Sequence, residues 1–230
     1  MKIIGLLGGM SWESSTDYYR IINQTIKAEL GGLHSAKCVL YSVDFQEIEQ
    51  YQFSNQWDKS TEILTDACLA IEKAGADYIV ICTNTMHKVA DKIQEKLAIP
   101  ILHIAKVTAD VLKQQEIKKV GLLGTKFTME EDFYTNILEK ESLDVVIPNE
   151  KSREKVSKII YEELCLGIIN EESKQFYLDT VKELHDAGAE GVILGCTEIG
   201  MLISQKDTSI PLFDTTEIHA TQAALLSLQK

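Results

Sequence analysis

Short apolar runs alternate with longer amphipathic stretches along most of this chain of 230 residues. In the longer stretches, apolar residues recur at spacings of three and four, which predicts helices with one buried face. This alternation favours βαβ units around parallel sheets. The predicted strands are Ile3–Leu7, Cys38–Val43, Tyr78–Cys82, Ile101–Ile104, Lys119–Leu123, Val145–Ile147, Gly191–Gly195 and Leu212–Phe213. The predicted helices include Ser14–Leu30, Asp58–Lys73, Thr85–Leu97, Met129–Lys140, Arg153–Cys165 and Glu172–Ala187.

Three short motifs each occur twice, in the same order and at nearly constant separations of 113, 116 and 111 residues. Such recurrence is hard to obtain by chance, so we infer an internal duplication. At this period it indicates two similar domains and not a solenoid. The matching pairs are Ala74–Thr85 with Ala187–Glu198, Gly5–Gly8 with Gly121–Gly124, and Ile99–Leu102 with Ile210–Phe213.

Each copy of the longest motif ends in polar residues directly after a predicted strand. We call Thr83-Asn84-Thr85 the first elbow and Cys196-Thr197-Glu198 the second elbow. In open parallel sheets, ligands bind beyond the carboxyl ends of the strands, where loops lead into helices. If the two domains face one another about a pseudo-twofold axis, Thr83 and Cys196 approach one ligand from opposite sides.

Composition excludes several classes of function. The formal net charge of −12 repels phosphate backbones and anionic lipid surfaces, so nucleic-acid and membrane partners are not expected. No stretch approaches the ~20 apolar residues of a membrane span, and the amino terminus lacks the apolar core of a signal peptide. Five cysteines without a CxxC pair indicate neither a disulfide framework nor a zinc site. We therefore expect free thiols in a reducing cytoplasm.

The glycines near the amino terminus do not form a nucleotide-binding motif. Gly5, Gly8 and Gly9 lack the GxGxxG spacing. No acidic residue that could be assigned to ribose binding follows at the end of the next predicted strand. A tight strand-to-helix turn explains Gly8 and Gly9 better than a mononucleotide site does.

Two interpretations of Cys196 stay open at this point. A free cysteine is commonly a small buried hydrophobe. Its place between a strand and a predicted helix start favours instead a thiolate stabilised by the helix dipole and backbone N–H groups.

The other cysteine and histidines near the elbows are expected to have structural roles. Because side chains alternate along a strand, Cys82 faces the side opposite to Thr83 and is predicted to be core. His87, His103 and His219 lack neighbours at metal-ligand spacing, so hydrogen-bonding roles are expected for them.

At the two elbows and the amino terminus, the sequence resembles the aspartate/glutamate racemase superfamily, the cofactor-independent amino-acid racemases. The segments that carry the resemblance are Ile4–Ser14, Thr83–His87 and Gly195–Gly200, and it covers essentially the whole chain. Most members have a Cys-Asn-Thr triplet where this chain has Thr83-Asn84-Thr85. The threonine resembles a subgroup of broad aspartate/glutamate racemases that prefer the L-enantiomer.

The resemblance implies two similar Rossmann-like α/β domains, residues 1–103 with 214–230 and residues 104–213, with the active site in the interdomain cleft. It implies two-base proton transfer at the α-carbon of aspartate or glutamate, with Cys196 as base for the L-enantiomer and Thr83 as its weaker partner. Met10 and Gln52 are expected to line the amino-acid pocket. The other substrate-binding candidates are Asn84, Thr85, Thr197 and Glu198. The resemblance implies that no metal, pyridoxal phosphate or nucleotide is needed. It also implies that the protein forms a homodimer.

Other activities remain compatible with these residues. The same superfamily includes maleate isomerases and arylmalonate decarboxylases, some of which also alter the cysteine pair. A non-catalytic amino-acid sensor that kept the site and lost turnover with the first cysteine is an alternative from another class.

Overall fold

A computed structural model describes residues 1–229. The chain divides into two compact units, Met1–His103 together with the chain from His219 onward, and Ile104–Ile218. Each unit is built on its own parallel sheet, which confirms the predicted α/β class with two parallel sheets. No helix within residues 1–229 combines the length and the apolar composition needed to cross a bilayer.

The first unit contains a three-stranded sheet in the order β2-β1-β3. All pairs are parallel, with Leu6 opposite Leu40 on one side and Val80 on the other. Its elements in chain order are β1 Ile4–Gly8, α1 Trp12–Leu30, β2 Cys38–Ser42, α2 Phe45–Phe53, α3 Trp57–Lys73, β3 Tyr78–Ile81, a 3-10 turn Thr85–Val89 and α4 Ala90–Gln94.

The second unit contains a four-stranded parallel sheet in the order β5-β4-β6-β7. Its elements are α5 Ile104–Gln114, β4 Lys119–Gly124, α6 Lys126–Glu130, α7 Asp132–Lys140, β5 Asp144–Val146, α8 Glu150–Glu162, a 3-10 turn Leu164–Leu166, α9 Glu171–Asp186, β6 Gly191–Gly195, α10 Ile199–Leu202 and β7 Leu212–Asp214. The last helix, α11 Thr215–Leu228, begins in this unit, and its residues from His219 belong to the first unit.

The central strands are buried on both faces, which explains their unbroken apolar runs. In the first unit, Leu7 and Ile81 pack with residues of α3 in one hydrophobic cluster. Leu6 and Val80 point to the opposite face and pack with Tyr18 of α1 in another. The strand period of two therefore divides β1 and β3 between two cores.

Three predicted elements differ from the structure. Ile101–Ile104 is not a strand: Ile101 forms a single bridge with Ile79, and α5 already begins at Ile104. Pro100 has no N–H to extend the pairing on its side. The predicted helix over residues 85–97 is a 3-10 turn followed by a short helix, and that over residues 129–140 is broken at Glu131, whose backbone is extended.

The turn after β1 requires glycine at position 9. Gly9 has a φ of 91°, in the left-handed region that side chains disfavour. A Cβ there would also overlap the carbonyl oxygen of Val43. The predicted tight strand-to-helix turn is confirmed, and it brings the chain from β1 to the start of α1 in three residues.

Gly9→Ala should destabilise the protein by about 1–3 kcal/mol more than Gly75→Ala, because both positions have nearly the same φ but only Gly9 is crowded. Gly75 has a φ of 95° and open space around its missing Cβ, so it isolates the backbone strain from the overlap. Urea unfolding of both variants measures the difference. Equal losses of unfolding free energy would contradict the crowding at Gly9.

Candidate active site

The first elbow lies at the carboxyl end of β3, where the chain turns into the 3-10 segment. The N–H of Cys82 still bonds to the carbonyl of Leu7 at 2.9 Å, so sheet pairing holds the residue before Thr83. Thr83, Asn84 and Thr85 are all buried. Their polar groups are therefore fixed near the edge of the sheet and withdrawn from bulk water.

Met10 and Gln52 lie in the same unit as the first elbow, and Gln52 contacts the residue that directly follows it. The Gln52 side-chain amide lies 2.9 Å from the sulfur of Met86, the residue that follows Thr85. Met10 and Met86 belong to one hydrophobic cluster, and Gln52 and Met10 are both buried. Sequence reasoning did not single out Met86 as a neighbour of Gln52, since a methionine in an apolar pattern is indistinguishable from ordinary core.

Cys82 lies on the opposite side of its strand end from the cluster that contains Met86. It is fully buried with Tyr18, Val80 and Ala220. Burial raises the pKa of its thiol far above the ordinary value. The prediction that Cys82 is core is confirmed, and its thiol is held in the unreactive protonated form.

The second elbow lies at the carboxyl end of β6 and leads into the one-turn helix α10. The Cys196 thiol donates to the Glu198 carboxyl oxygen Oε2 at 2.9 Å. The Thr197 hydroxyl donates to the same oxygen at 2.7 Å. Cys196 is 7% exposed and Glu198 is 2% exposed, so this contact is removed from solvent.

The electrostatics of Cys196 differ from the sequence expectation of a stabilised thiolate. Burial raises the pKa of the Cys196 thiol well above its usual value, and the Glu198 carboxyl group raises it further. Only the backbone N–H of Glu198 lowers it. A single turn of helix offers too little favourable potential to offset desolvation beside a carboxyl group. At rest the sulfur is therefore a protonated thiol, and that part of the sequence expectation is wrong.

The hydrogen bonds of the Glu198 carboxyl group differ from those expected of a group that binds the substrate α-carboxylate. Its carboxyl group accepts hydrogen bonds from Cys196 and Thr197, whereas a substrate α-carboxylate needs donors. The contact can move a proton between sulfur and oxygen over a short distance. The second elbow is thus a thiol with an adjacent proton acceptor.

The His219 ring is held by hydrogen bonds at both of its nitrogens. His219 Nε2 lies 2.8 Å from the carbonyl of Leu102, and its Nδ1 lies 2.8 Å from the Tyr18 hydroxyl. Within residues 1–229, no group of three or more His, Cys, Asp or Glu side chains is arranged to hold a metal ion. The hydrogen-bonding role expected for His219 is confirmed.

Glu198→Gln should lower the pH at which Cys196 reacts with iodoacetamide, because the neutral amide no longer raises the pKa of the thiol. The alkylation rate of the Cys196 peptide, followed by mass spectrometry across the neutral to alkaline range, gives the midpoint. Cys38, half-buried in β2, is the internal control and should keep its profile. A midpoint that rises or stays unchanged would contradict the charge effect assigned to Glu198.

Comparison with known proteins gives one consistent result. The family model described as Asp/Glu/Hydantoin racemase matches residues 7–223. A structure from Yersinia pestis, described as a candidate Asp/Glu racemase, is 55% identical with a TM-score of 0.92, and both chains are fully covered. An aspartate racemase homologue from Pyrococcus horikoshii is 37% identical with a TM-score of 0.84, again over 100% of both chains.

A more distant relative has a different specificity in its name. The broad specificity amino-acid racemase RacX of Bacillus subtilis is 23% identical over 218 residues, which is 93% of each chain. The resemblance drawn from the elbows is therefore confirmed at the level of the superfamily. The chain belongs to the Asp/Glu/hydantoin racemase family.

Proposed function

We propose that this protein racemises acidic amino acids without a cofactor, acting preferentially on L-aspartate or L-glutamate. The observation that carries the proposal is the buried Cys196 thiol hydrogen-bonded to Glu198, in a chain that belongs to a racemase family. Two relatives named for aspartate or glutamate, at 55% and 37% identity, support the acidic substrate class.

The α-proton of an amino acid is a very weak acid, so the base must be strong and well placed when substrate is bound. Cys196 becomes that base when its proton passes to Glu198, since the two groups already share a hydrogen bond. The ammonium group of the substrate favours the thiolate, because a nearby positive charge lowers the pKa of an acid. The thiolate then removes the α-proton from the L-enantiomer.

The developing negative charge needs donors, since no pyridine ring takes it up in this mechanism. We assign this role to N–H and hydroxyl groups at Asn84 and Thr85 and to the backbone N–H of Thr197, since these residues are buried at the two strand ends and the Thr197 hydroxyl already donates to Glu198. Donors preorganised in a site of low dielectric are typically the largest contribution to such catalysis, and removing one costs on the order of 10²-fold in rate. Met10 and Gln52 are assigned to contacts with the substrate side chain.

Thr83 is assigned the delivery of a proton on the opposite face of the α-carbon. The alkoxide that this leaves recovers its proton through solvent water, as Glu198 releases the proton that it took from Cys196. A hydroxyl donates a proton to a strongly basic carbanion but is a poor base for removing one. Conversion from the L-enantiomer should therefore be faster than conversion from the D-enantiomer at equal concentrations. Because the equilibrium constant of racemisation is near unity, this asymmetry must come from turnover, binding or inhibition.

Cys196→Ser should reduce α-proton exchange of the L-substrate on the order of 10²–10⁴-fold, because serine is a far weaker base of similar size. Cys82→Ser is the matched control and should keep its exchange rate, at some cost in stability, since Cys82 faces the core. Exchange is followed by NMR in deuterated water over a panel of amino acids, with chiral separation of the products.

Three results of that experiment would change the proposal. Near-normal exchange in folded Cys196→Ser removes Cys196 from the mechanism. If folded Cys82→Ser loses as much exchange activity as Cys196→Ser, the assignment of the catalytic thiol to Cys196 alone is wrong. Binding of an amino acid without α-proton exchange in the wild type favours the amino-acid sensor. This is the second candidate function because the first elbow has threonine in place of cysteine.

Thr83→Cys should raise the activity on D-aspartate or D-glutamate relative to the L-enantiomer, because a thiol can remove a proton where a hydroxyl cannot. Initial rates from each pure enantiomer, at several concentrations, measure the ratio in the wild type and the variant. An unchanged ratio in a folded variant that binds substrate shows that the missing thiol does not cause the asymmetry.

A further inference from the structure

A histidine holds the backbone of the first elbow. His87 Nδ1 lies 2.8 Å from the carbonyl oxygen of Thr83, and the ring is 3% exposed. A carbonyl oxygen can only accept, so the hydrogen is on Nδ1 of His87. The His87 backbone N–H also bonds to the carbonyl of Asn84 at 3.0 Å. One residue therefore anchors two successive carbonyl groups of the elbow.

The His87 ring is itself held by other rings. The His103 ring centroid lies 4.5 Å away and the His219 ring centroid 5.9 Å away, both in edge arrangements. His219 must donate from Nε2 to the carbonyl of Leu102, which leaves its Nδ1 to accept from Tyr18. Burial lowers the pKa of His219 to about 3 and that of His87 well below its usual value. The two buried rings are thus neutral at pH 7, with defined tautomers.

These contacts fix the backbone on both sides of Thr83. Before it, the N–H of Cys82 bonds to the carbonyl of Leu7 in β1 at 2.9 Å. After it, the Thr83 carbonyl is held by His87. Because the peptide unit is planar, holding that carbonyl fixes rotation about the Cα–C bond of Thr83. The direction in which the Thr83 side chain leaves the backbone is then set.

We propose that His87 is a positioning residue that aims the Thr83 hydroxyl at the substrate α-carbon through its ring hydrogen bond to the Thr83 carbonyl. The inference rests on the proposed function, since it concerns the proton that Thr83 delivers. A displacement of about 1 Å in a reacting group can cost on the order of 10²-fold in rate. Loss of the ring hydrogen bond should therefore slow inversion specifically.

The test separates two reactions of the L-substrate in deuterated water. Exchange with retention requires Cys196 alone, whereas inversion to the D-enantiomer also requires Thr83. In His87→Leu, the ratio of inversion to exchange should fall tenfold or more. In His87→Asn the ratio should recover most of its wild-type value, because the asparagine amide nitrogen reaches about the position of Nδ1 and can donate to the same carbonyl.

A matched control removes a similar bond elsewhere. His185 Nδ1 lies 2.8 Å from the carbonyl of Ala189, at an exposed position that precedes the amino end of β6, the opposite end of that strand from the second elbow. His185→Leu should leave the ratio unchanged, even where it lowers stability. An unchanged ratio in folded His87→Leu overturns the inference, and so does a ratio in His87→Asn as low as in His87→Leu.

A separate measurement keeps this inference distinct from the proposed function. Nitrogen-15 NMR of the histidine rings should show His87 protonated at Nδ1, with a coupling through the hydrogen bond to the carbonyl carbon of Thr83. A His87 ring without a hydrogen on Nδ1 overturns the inference whatever the activity. A wild type that neither exchanges nor inverts any amino acid overturns the proposed function. The NMR experiment can then still detect the hydrogen bond between His87 and Thr83, but that bond has no catalytic role.

Discussion

Parallel pairing of the central strands determines where the candidate site residues of this chain lie. β1 pairs with β3, and β4 pairs with β6, so the ends of neighbouring strands reach the same edge of each sheet. β3 and β6 are buried on both faces along their length and contain no charged side chain. The polar elbow residues begin just after these strands end, at Thr83 and Cys196. The same constraint makes the strands apolar and places the candidate site residues at their carboxyl ends.

The reactive groups are buried deeply enough for burial to govern their acidity. Desolvation raises the pKa of both Cys82 and Cys196, although only Cys196 has a carboxyl group as hydrogen-bond partner. The difference between an inert thiol and a candidate base is therefore not the thiol pKa at rest. It is the presence of Glu198, which can receive the proton when a cationic ligand favours the thiolate.

The duplicated halves support their elbows in different ways. At the separation of 113 residues that pairs Thr83 with Cys196, His87 corresponds to Gly200. In the first unit the large ring at this position bonds to the Thr83 carbonyl. In the second unit the missing side chain leaves space that the Asp214 carboxyl group occupies, since a Cβ at Gly200 would overlap it. The elbow that carries threonine therefore has a ring hydrogen bond to its backbone, whereas the elbow that carries cysteine has glycine at the matching position.

The sequence alone determined the alternation of strands and helices, the duplication, the two elbows and the family. These features are written in local periodicity and in short motifs, which need no knowledge of distant contacts. Even so, Ile101–Ile104 looked like a strand because apolar residues follow Pro100, and only the tertiary structure reduces it to one bridge before α5.

Tertiary structure alone decided how the elbow residues act on one another. The burial that raises the pKa of Cys196, the orientation of Glu198 toward the sulfur, and the ring of His87 against the Thr83 carbonyl involve side-chain directions and desolvation. Neither is encoded in residue spacing. Spacing identifies which residues are neighbours along the chain, whereas the packing of several elements together sets which groups lose water and which hydrogen bonds replace it.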